Sequence, residues 1–472
     1  MEQDWIGQLT ALTEPGRLPV LARSRARLRR LLEGPETSRQ RVAAVLLDDP
    51  ALALQALYRA NAVPHRHFRA EVATLEDAVH MLGESGLTCL LDEVVEAERQ
   101  LEGNRLRAYR HAMARGVLAG ALAADWASCG RDMFPAEVAA AALLHTLGEF
   151  VLLAVGDRRI RRYLQLVYLH HVLPHEADYV ALSDSLGTLG YRLACRWALP
   201  EMVRESMRPH NAAHSRLLGA MLANQMARDA CSGWRHPLLG RDLWLASELL
   251  ELSPDALTLR VNRVLALMRE RHPVLAETAL TPLPTPARAP SVWDLRVPYQ
   301  APFCLAPRGD ELARCRCRLE REQGGSDERL LTTLLYGLHR GLGLNRVAFF
   351  TCAPGDRTLS PQLFVGSEFE PGFNQGGWRH RARALLDELL EAPGVVRVGD
   401  GGTIALPDEL AERLGVDAFL AMPLWRGGAV LGLVYADRRS VCCHLDAGVE
   451  TQFAALVLWT SELLSRASGE IS

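Results

Sequence analysis

Residues 139–153 read AAAALLHTLGEFVLL. An apolar helix ends in His145 and passes through a short glycine turn into a second apolar run. The residue after the histidine decides what such a segment can do. A His–carboxylate doublet offers a divalent cation one nitrogen and one anionic oxygen. Here the second position is Thr146, whose neutral hydroxyl is a poor substitute on a hard cation. The segment therefore offers a dication one good ligand, the His145 imidazole, and one weak one.

Outward from this segment, 472 residues are too many for one ordinary domain, and two or three are expected. An apolar fraction of 49% with 23% charged residues describes globular domains, not disorder. No uninterrupted run of 18 apolar residues occurs, so no transmembrane helix is expected. The first residues, MEQDWIGQLTALTEPGR, have no apolar core of a secretory signal, which gives a cytoplasmic expectation. The ten cysteines lack regular spacing and read as reduced, mostly buried thiols. The net charge of −3 gives no global attraction to nucleic acid. All 53 basic residues are arginine. Without lysine there is no Walker A lysine, no kinase lysine and no Schiff-base chemistry.

Residues 1–272 read as almost continuous helix. Asp49–Pro50, Thr74 with Asp77, and Ser253–Pro254 are helix-start signals. Residues 273–323 read as a proline-rich linker, with eight prolines between Pro273 and Pro307. Trp293, Tyr299 and Phe303 are large for a free linker, so part of it should drape over a neighbouring surface. Residues 324–472 are mixed. A helix is expected near 326–341, strands at NRVAFFTC and TLSPQLFVG, and helices at 378–391 and 407–414. AFLAMPLW and AVLGLVYADR should form a hairpin across Arg426–Gly427–Gly428, followed by a helix over 446–466. The fold class is multidomain: an all-α domain, then an α+β sheet domain.

These patterns carry two resemblances. LLDDPALALQALYRANA, ATLEDAVHMLGESGL, AALLHTLGEFVLL and RWALPEMVRESMRPHN resemble, in order, the segments of the HDOD family, the HD-related output domains of bacterial signalling proteins. The catalytic HD phosphohydrolases hold a metal with a His–Asp doublet, and this chain departs from them at Thr146. It departs from the family also at Asn211 and in SDSLGTLG, which has no histidine. LGLNRVAFF and DAFLAMPLWRGGAVLGLVYADR resemble the GAF family of small-molecule-sensing and dimerising modules. The absence of lysine excludes the Asn-Lys-x-Asp pattern of cyclic-nucleotide GAF domains.

The resemblance implies that His111, His145, Thr146 and Asp184 form a vestigial HD-like cluster, with no metal, no cofactor and no catalytic residue expected. His170, His171 and His175 read as a helix end whose histidines sit near C-terminal carbonyls. Cys304, Cys315 and Cys317, and Cys442–Cys443–His444, lack zinc-knuckle spacing. Arg17, Arg23, Arg25, Arg27, Arg29 and Arg30 read as a solvated face. In the sheet domain Phe349, Phe364, Phe419, Met422 and Tyr435 are candidates to line a cavity, with Arg346 and Arg357 the nearby cations. Leu330, Leu334 and Leu338, with Phe453, Leu456, Val457 and Leu464, mark two helices that could build a homodimer. The expected function is non-enzymatic signal transduction. The helical module would act by contact with signalling proteins, and the GAF module would sense a small molecule or dimerise. No nucleic acid or membrane partner is expected. The alternative is a metal-dependent HD-type phosphohydrolase or phosphodiesterase with an altered site.

Overall fold

The computed structural model describes residues 5–34, 37–62, 71–129, 133–182, 184–236, 238–276, 278, 280–294, 304–322, 326–353, 356–368, 370–375, 383–439 and 444–469. They form two compact units. The first comprises Met1–His171, Ala181–Arg208 and His214–Trp293, and the second Val172–Val180, Pro209–Ala213 and Asp294–Ser472.

The first unit is helical, and its start signals work as the residues require. The Thr74 hydroxyl accepts from Asp77 N–H at 3.1 Å, and the Ser253 hydroxyl accepts from Ala256 N–H at 3.3 Å. Asp49 does more than cap the helix Pro50–Ala62. One oxygen accepts from Ala51 and Leu52 N–H, and the other accepts from Leu21 N–H at 2.9 Å. The core is the helix Gly103–Ala127 packed on Pro135–Leu144 and Ser215–Cys231. Small residues allow the close approach: a Cβ at Gly116 would stand 2.9 Å from the Leu143 carbonyl oxygen. Opposite it lies the alanine run of residues 139–142, all buried. The stretch Pro135–Val155 is long and apolar enough to pass for a membrane span, but 83% of it is buried inside the unit. It breaks at His145 and Thr146 into two helices, Pro135–Leu144 and Leu147–Val155.

The stretch 273–323 is not a free linker where it is described. Leu275, Leu280 and Leu283 are buried. Asn262 clamps the backbone of Leu283 from both sides, at 2.7 and 3.0 Å, and Trp234 Nε1 donates to the Thr281 carbonyl. Prolines at 282 and 284 hold Leu283 extended, so its polar backbone is open to this side-chain pairing. Tyr299 and Phe303 lie outside the described residues. Further on, Gly309–Arg321 is a helix whose Cys315 and Leu319 enter the core of the second unit.

The second unit holds a five-stranded antiparallel sheet in the order β2-β1-β5-β4-β3, with β1 Arg346–Ala353, β2 Asp356–Val365, β3 Val396–Gly399, β4 Ala418–Arg426 and β5 Ala429–Asp437. Gly427 and Gly428 have φ of 56° and 83°, the left-handed pair that a two-residue hairpin between β4 and β5 demands. β3 is four residues long, too short for a pattern of alternation to mark it in the sequence.

Side chains alternate across the sheet. Val347 and Phe349 of β1, Leu420, Met422 and Leu424 of β4, and Val434 and Ala436 of β5 share one face. The helices Asp327–Tyr336, continued by Gly337–Gly341, and Ala447–Gly469 cover it with Leu330, Leu334, Leu338, Phe453, Leu456, Val457 and Leu464. Ala348, Phe350, Phe419, Ala421, Leu433 and Tyr435 share the other face, under the helices Arg383–Glu391 and Asp408–Leu414. Of the large apolar side chains on Ala447–Gly469, Leu458 stands exposed.

Candidate functional site

In the first unit the decisive residues follow the helix Pro135–Leu144. His145 ends it, and its Nδ1 is buried with no hydrogen-bond partner. Burial, reinforced by the nearby charge of Arg228, lowers the imidazole to about 4, so His145 is neutral at pH 7. Thr146 lies at the start of Leu147–Val155 with φ −92° and ψ 29°. Its carbonyl accepts from Glu149 and Phe150, while its hydroxyl caps nothing.

Around them stand two buried guanidiniums. Arg115, one helical turn beyond His111, pairs with Glu149, one turn beyond His145. The Arg115 guanidinium also lies 5.1 Å from the centroid of the Tyr168 ring. Arg228, on Ser215–Cys231, donates to the Tyr163 hydroxyl at 3.2 Å. On the same helix, Asn224 donates to the Ala142 carbonyl at 2.6 Å. Glu149 Oε2 and the Tyr168 hydroxyl are buried without hydrogen-bond partners. Two fixed guanidinium charges thus stand around a neutral imidazole, one of them paired with Glu149. A divalent cation beside His145 would be repelled at short range in a low-dielectric interior.

Of the HD-like residues expected from the sequence, His111 and His145 are both half-buried by whole-residue exposure. Asp184 accepts from Ser185 N–H at 2.9 Å just before the helix Leu186–Arg196. Among the described residues, the ligand atoms of His111, His145 and Asp184 do not converge as a metal-holding group. The three that do converge are Asp229, His236 and Asp242. The sequence reading missed these, and it missed Arg115, Glu149 and Arg228. The i, i+4 steps His111–Arg115 and His145–Glu149 were a legible signal.

The arginines early in the chain are engaged by acids: Arg25 with Glu96 at 2.8 Å, Arg29 with Asp92 at 3.1 Å, and Arg27 with Asp48. The cysteine expectation needs correction. Cys304 is disulfide-bonded, and Cys89, Cys129, Cys195 and Cys317 are exposed free thiols.

In the second unit the five cavity candidates do not share a face. Phe364, Phe419 and Tyr435 belong with Phe350 and Phe373 on one side, whereas Phe349 and Met422 lie on the other, under the 327–336 and 447–469 helices. The error is one of parity: Phe349 pairs across from Val434, and Met422 does too, each one register step from the Tyr435 face. The correctly placed aromatics fill their side. Phe364 meets Phe350 and Phe373 at 5.7 Å between centroids, and Phe419 meets Tyr435 at 4.9 Å.

Arg346 is fully buried and committed. It pairs with Asp437 at 2.6 Å and Glu370 at 3.2 Å, donates to the Leu414 carbonyl, and stacks 4.1 Å from the Phe373 ring centroid. The Arg357 side chain lies outside what is described. Arg439 also pairs with Glu370. Burial alone would raise the Glu370 carboxyl, but Arg439 and Arg346 outweigh it and hold it down to about 2. His175 corrects the expectation of a histidine at a helix end. It lies in the first turn of Pro174–Leu182, 2% exposed, with Nε2 3.2 Å from Glu370 Oε1, and burial drives its proton affinity well below the usual value. Its neighbour Glu176 accepts from Asn345 Nδ2 at 2.8 Å.

Residues 18–213 match the HDOD domain and residues 327–456 match the GAF domain. The chain is therefore an HDOD-domain protein with a C-terminal GAF domain, which marks it as signalling-related. A relative in Treponema pallidum (strain Nichols), an uncharacterized protein, is 25% identical over 201 residues. The match takes in 42% of this chain and 38% of that protein's length. Among solved structures, the MmoQ response regulator from Methylococcus capsulatus is 19% identical, covering 52% of this chain and 97% of that one, with a TM-score of 0.39. An HDOD domain protein from Geobacter sulfurreducens is 19% identical, covering 59% and 97%, with a TM-score of 0.32.

Proposed function

We propose that this protein is a non-enzymatic regulator whose HDOD module acts by contact with a signalling protein. The observation that carries the reading is the charge balance at His145. Thr146 supplies no carboxylate, and Arg115 and Arg228 bring two buried positive charges toward the place a dication would need. Metal-assisted phosphoester hydrolysis depends on several anionic and imidazole ligands converging at one point. The test is turnover of bis-p-nitrophenyl phosphate and of a cyclic dinucleotide by the full-length protein with added Mg²⁺ or Mn²⁺. No turnover above buffer is expected. Metal-dependent hydrolysis that His145→Ala abolishes would establish the phosphohydrolase alternative instead.

For the GAF module we propose a platform role, dimerising or contacting a partner. The close ring packing of Phe350, Phe364, Phe373, Phe419 and Tyr435 supports a filled core. A second reading, a small-molecule sensor, rests on the general use of this module. Thermal shift of the full-length protein against a metabolite panel separates the two. A flat response fits the platform, and a saturable rise in melting temperature fits the sensor.

A further inference from the structure

Three side chains that the proposed function does not use meet at the end of the helix Ser215–Cys231. Asp229 lies in its last turn, His236 in the turn that follows, and Asp242 in the first turn of Leu239–Leu250. One ligand atom from each lies within 4.8 Å of the other two. Asp229 and Asp242 are buried, and the His236 side chain is 8% exposed, nearest to solvent.

The unusual member is Asp229. Its residue is 0% exposed, and its Oδ2 has no hydrogen-bond partner. Its other oxygen receives a long bond of 3.4 Å from Gln225 Nε2. A buried carboxylate oxygen with nothing to accept from is costly, and proteins compensate such groups with pairing or coordination. The His236 Nδ1 lies 3.8 Å from Asp242 Oδ2. That is too far for a hydrogen bond. It matches two atoms that each sit at about 2.0–2.2 Å from one shared ion. The Leu238 N–H, 3.3 Å from the same nitrogen, makes the weak contact that coordination would replace.

We propose that Asp229, His236 and Asp242 bind one divalent first-row transition ion, of the zinc or manganese class. Two carboxylates balance the charge of the ion. One imidazole with two oxygens suits these metals better than Mg²⁺ or Ca²⁺, which take oxygen ligands. The ion ties the end of Ser215–Cys231 to the start of Leu239–Leu250. It sits one residue from Arg228, so it ties down the helix that carries one of the charges at His145. The site is separate from the His145 cluster and does not depend on how that cluster is read.

The test uses untagged full-length protein freed of metal with a chelator, titrated with MnCl₂ and followed by the electron paramagnetic resonance of free Mn²⁺. Manganese avoids the exposed thiols, which favour softer ions. One saturable equivalent per chain is expected, with a metal-dependent rise in melting temperature. Asp242→Asn and Asp229→Asn should each weaken binding by about ten-fold or more and abolish that rise. His236→Gln, at the rim, should do the same and serves if a carboxylate variant fails to fold. His145→Gln should bind as wild type does. No saturable binding by the wild-type protein, or binding unchanged in His236→Gln, would overturn the site. Loss in His145→Gln alone would move the metal to the HD-like position and overturn it equally.

Discussion

The two buried ionic clusters of this protein are built from the same residue types and reach opposite ends. At Arg346 two guanidiniums face two carboxylates, Asp437 and Glu370, with a neutral His175 beside them. At His145 the guanidiniums of Arg115 and Arg228 stand around a neutral imidazole, and Glu149 is the carboxylate paired with Arg115. The first is a closed clamp whose charges cancel locally. The second holds its guanidiniums on separate partners, Arg115 on Glu149 and Arg228 on the Tyr163 hydroxyl. Buried charge is tolerable when compensated, and fixed guanidiniums beside a neutral imidazole decide which ions that part of the interior will refuse.

The largest effect should come from opening the closed clamp. Arg346→Met strips Asp437 of its guanidinium partner, and a loss of about 3–5 kcal/mol in urea denaturation is expected. Glu149→Gln, which breaks the Arg115–Glu149 pair at the other cluster, should cost less. Arg115 there keeps its stack on Tyr168 and a side chain 11% exposed. An equal or larger cost for Glu149→Gln would show that this pair carries as much of the fold as the Arg346 clamp does.

Acidification should sharpen the comparison next. His145 in one unit and His339 in the other are both held near 4 by burial, against an ordinary 6.5. His339 is fixed further by its Nδ1 contact with the Leu344 carbonyl at 2.6 Å and its edge contact with Tyr179. Each folded state disfavours the proton, so the unfolded chain binds more protons between the two values. The stability from each neutral ring is therefore complete above pH 6.5 and is lost as pH falls toward 4. It amounts to about 3 kcal/mol per histidine at most. His339→Gln and His145→Gln should each flatten the slope of stability against pH in that window. A slope unchanged by either would place the acid sensitivity elsewhere.

The smallest expected effect is the most pointed. Thr146→Asp restores the His–Asp doublet in sequence, yet the two guanidiniums remain. No gain in Mn²⁺ binding at that position and no phosphoester turnover are expected. A gain in either would mean that the missing carboxylate alone had silenced the site.

The domain order and the helix starts at Asp49, Thr74 and Ser253 were legible because each rests on local chemistry within four residues. Both strands of the β4–β5 hairpin were legible for the same reason, through Gly427–Gly428. The cavity set went wrong where one residue of register matters. Phe349 and Phe350 are adjacent in sequence and lie on opposite faces. The Arg346 cluster was invisible for a different reason. Arg346 meets residues 24 and 91 positions away, and no periodicity links such partners. That part of 273–323 drapes over a surface was legible from its large aromatic residues; where 273–293 packs was not, because prolines mark extended chain without naming what binds it. Its anchors, Asn262 and Trp234, lie outside it.

The second unit is discontinuous, and this has a consequence for how the chain is made. Residues 172–180 leave the ribosome long before β5, which ends at Asp437. At about 5–20 residues per second, the helix carrying His175 and Glu176 waits roughly 10–50 s for the last strand of its sheet to be synthesised. Through that interval its buried polar groups have water for a partner. Asn345 arrives before Asp437 and Arg439 do, so Glu176 can be satisfied before the Glu370 cluster closes. The order of synthesis thus makes the ionic clamp the final latch of this unit, and nascent chains ending short of Asp437 should leave the 174–182 segment open to proteolysis.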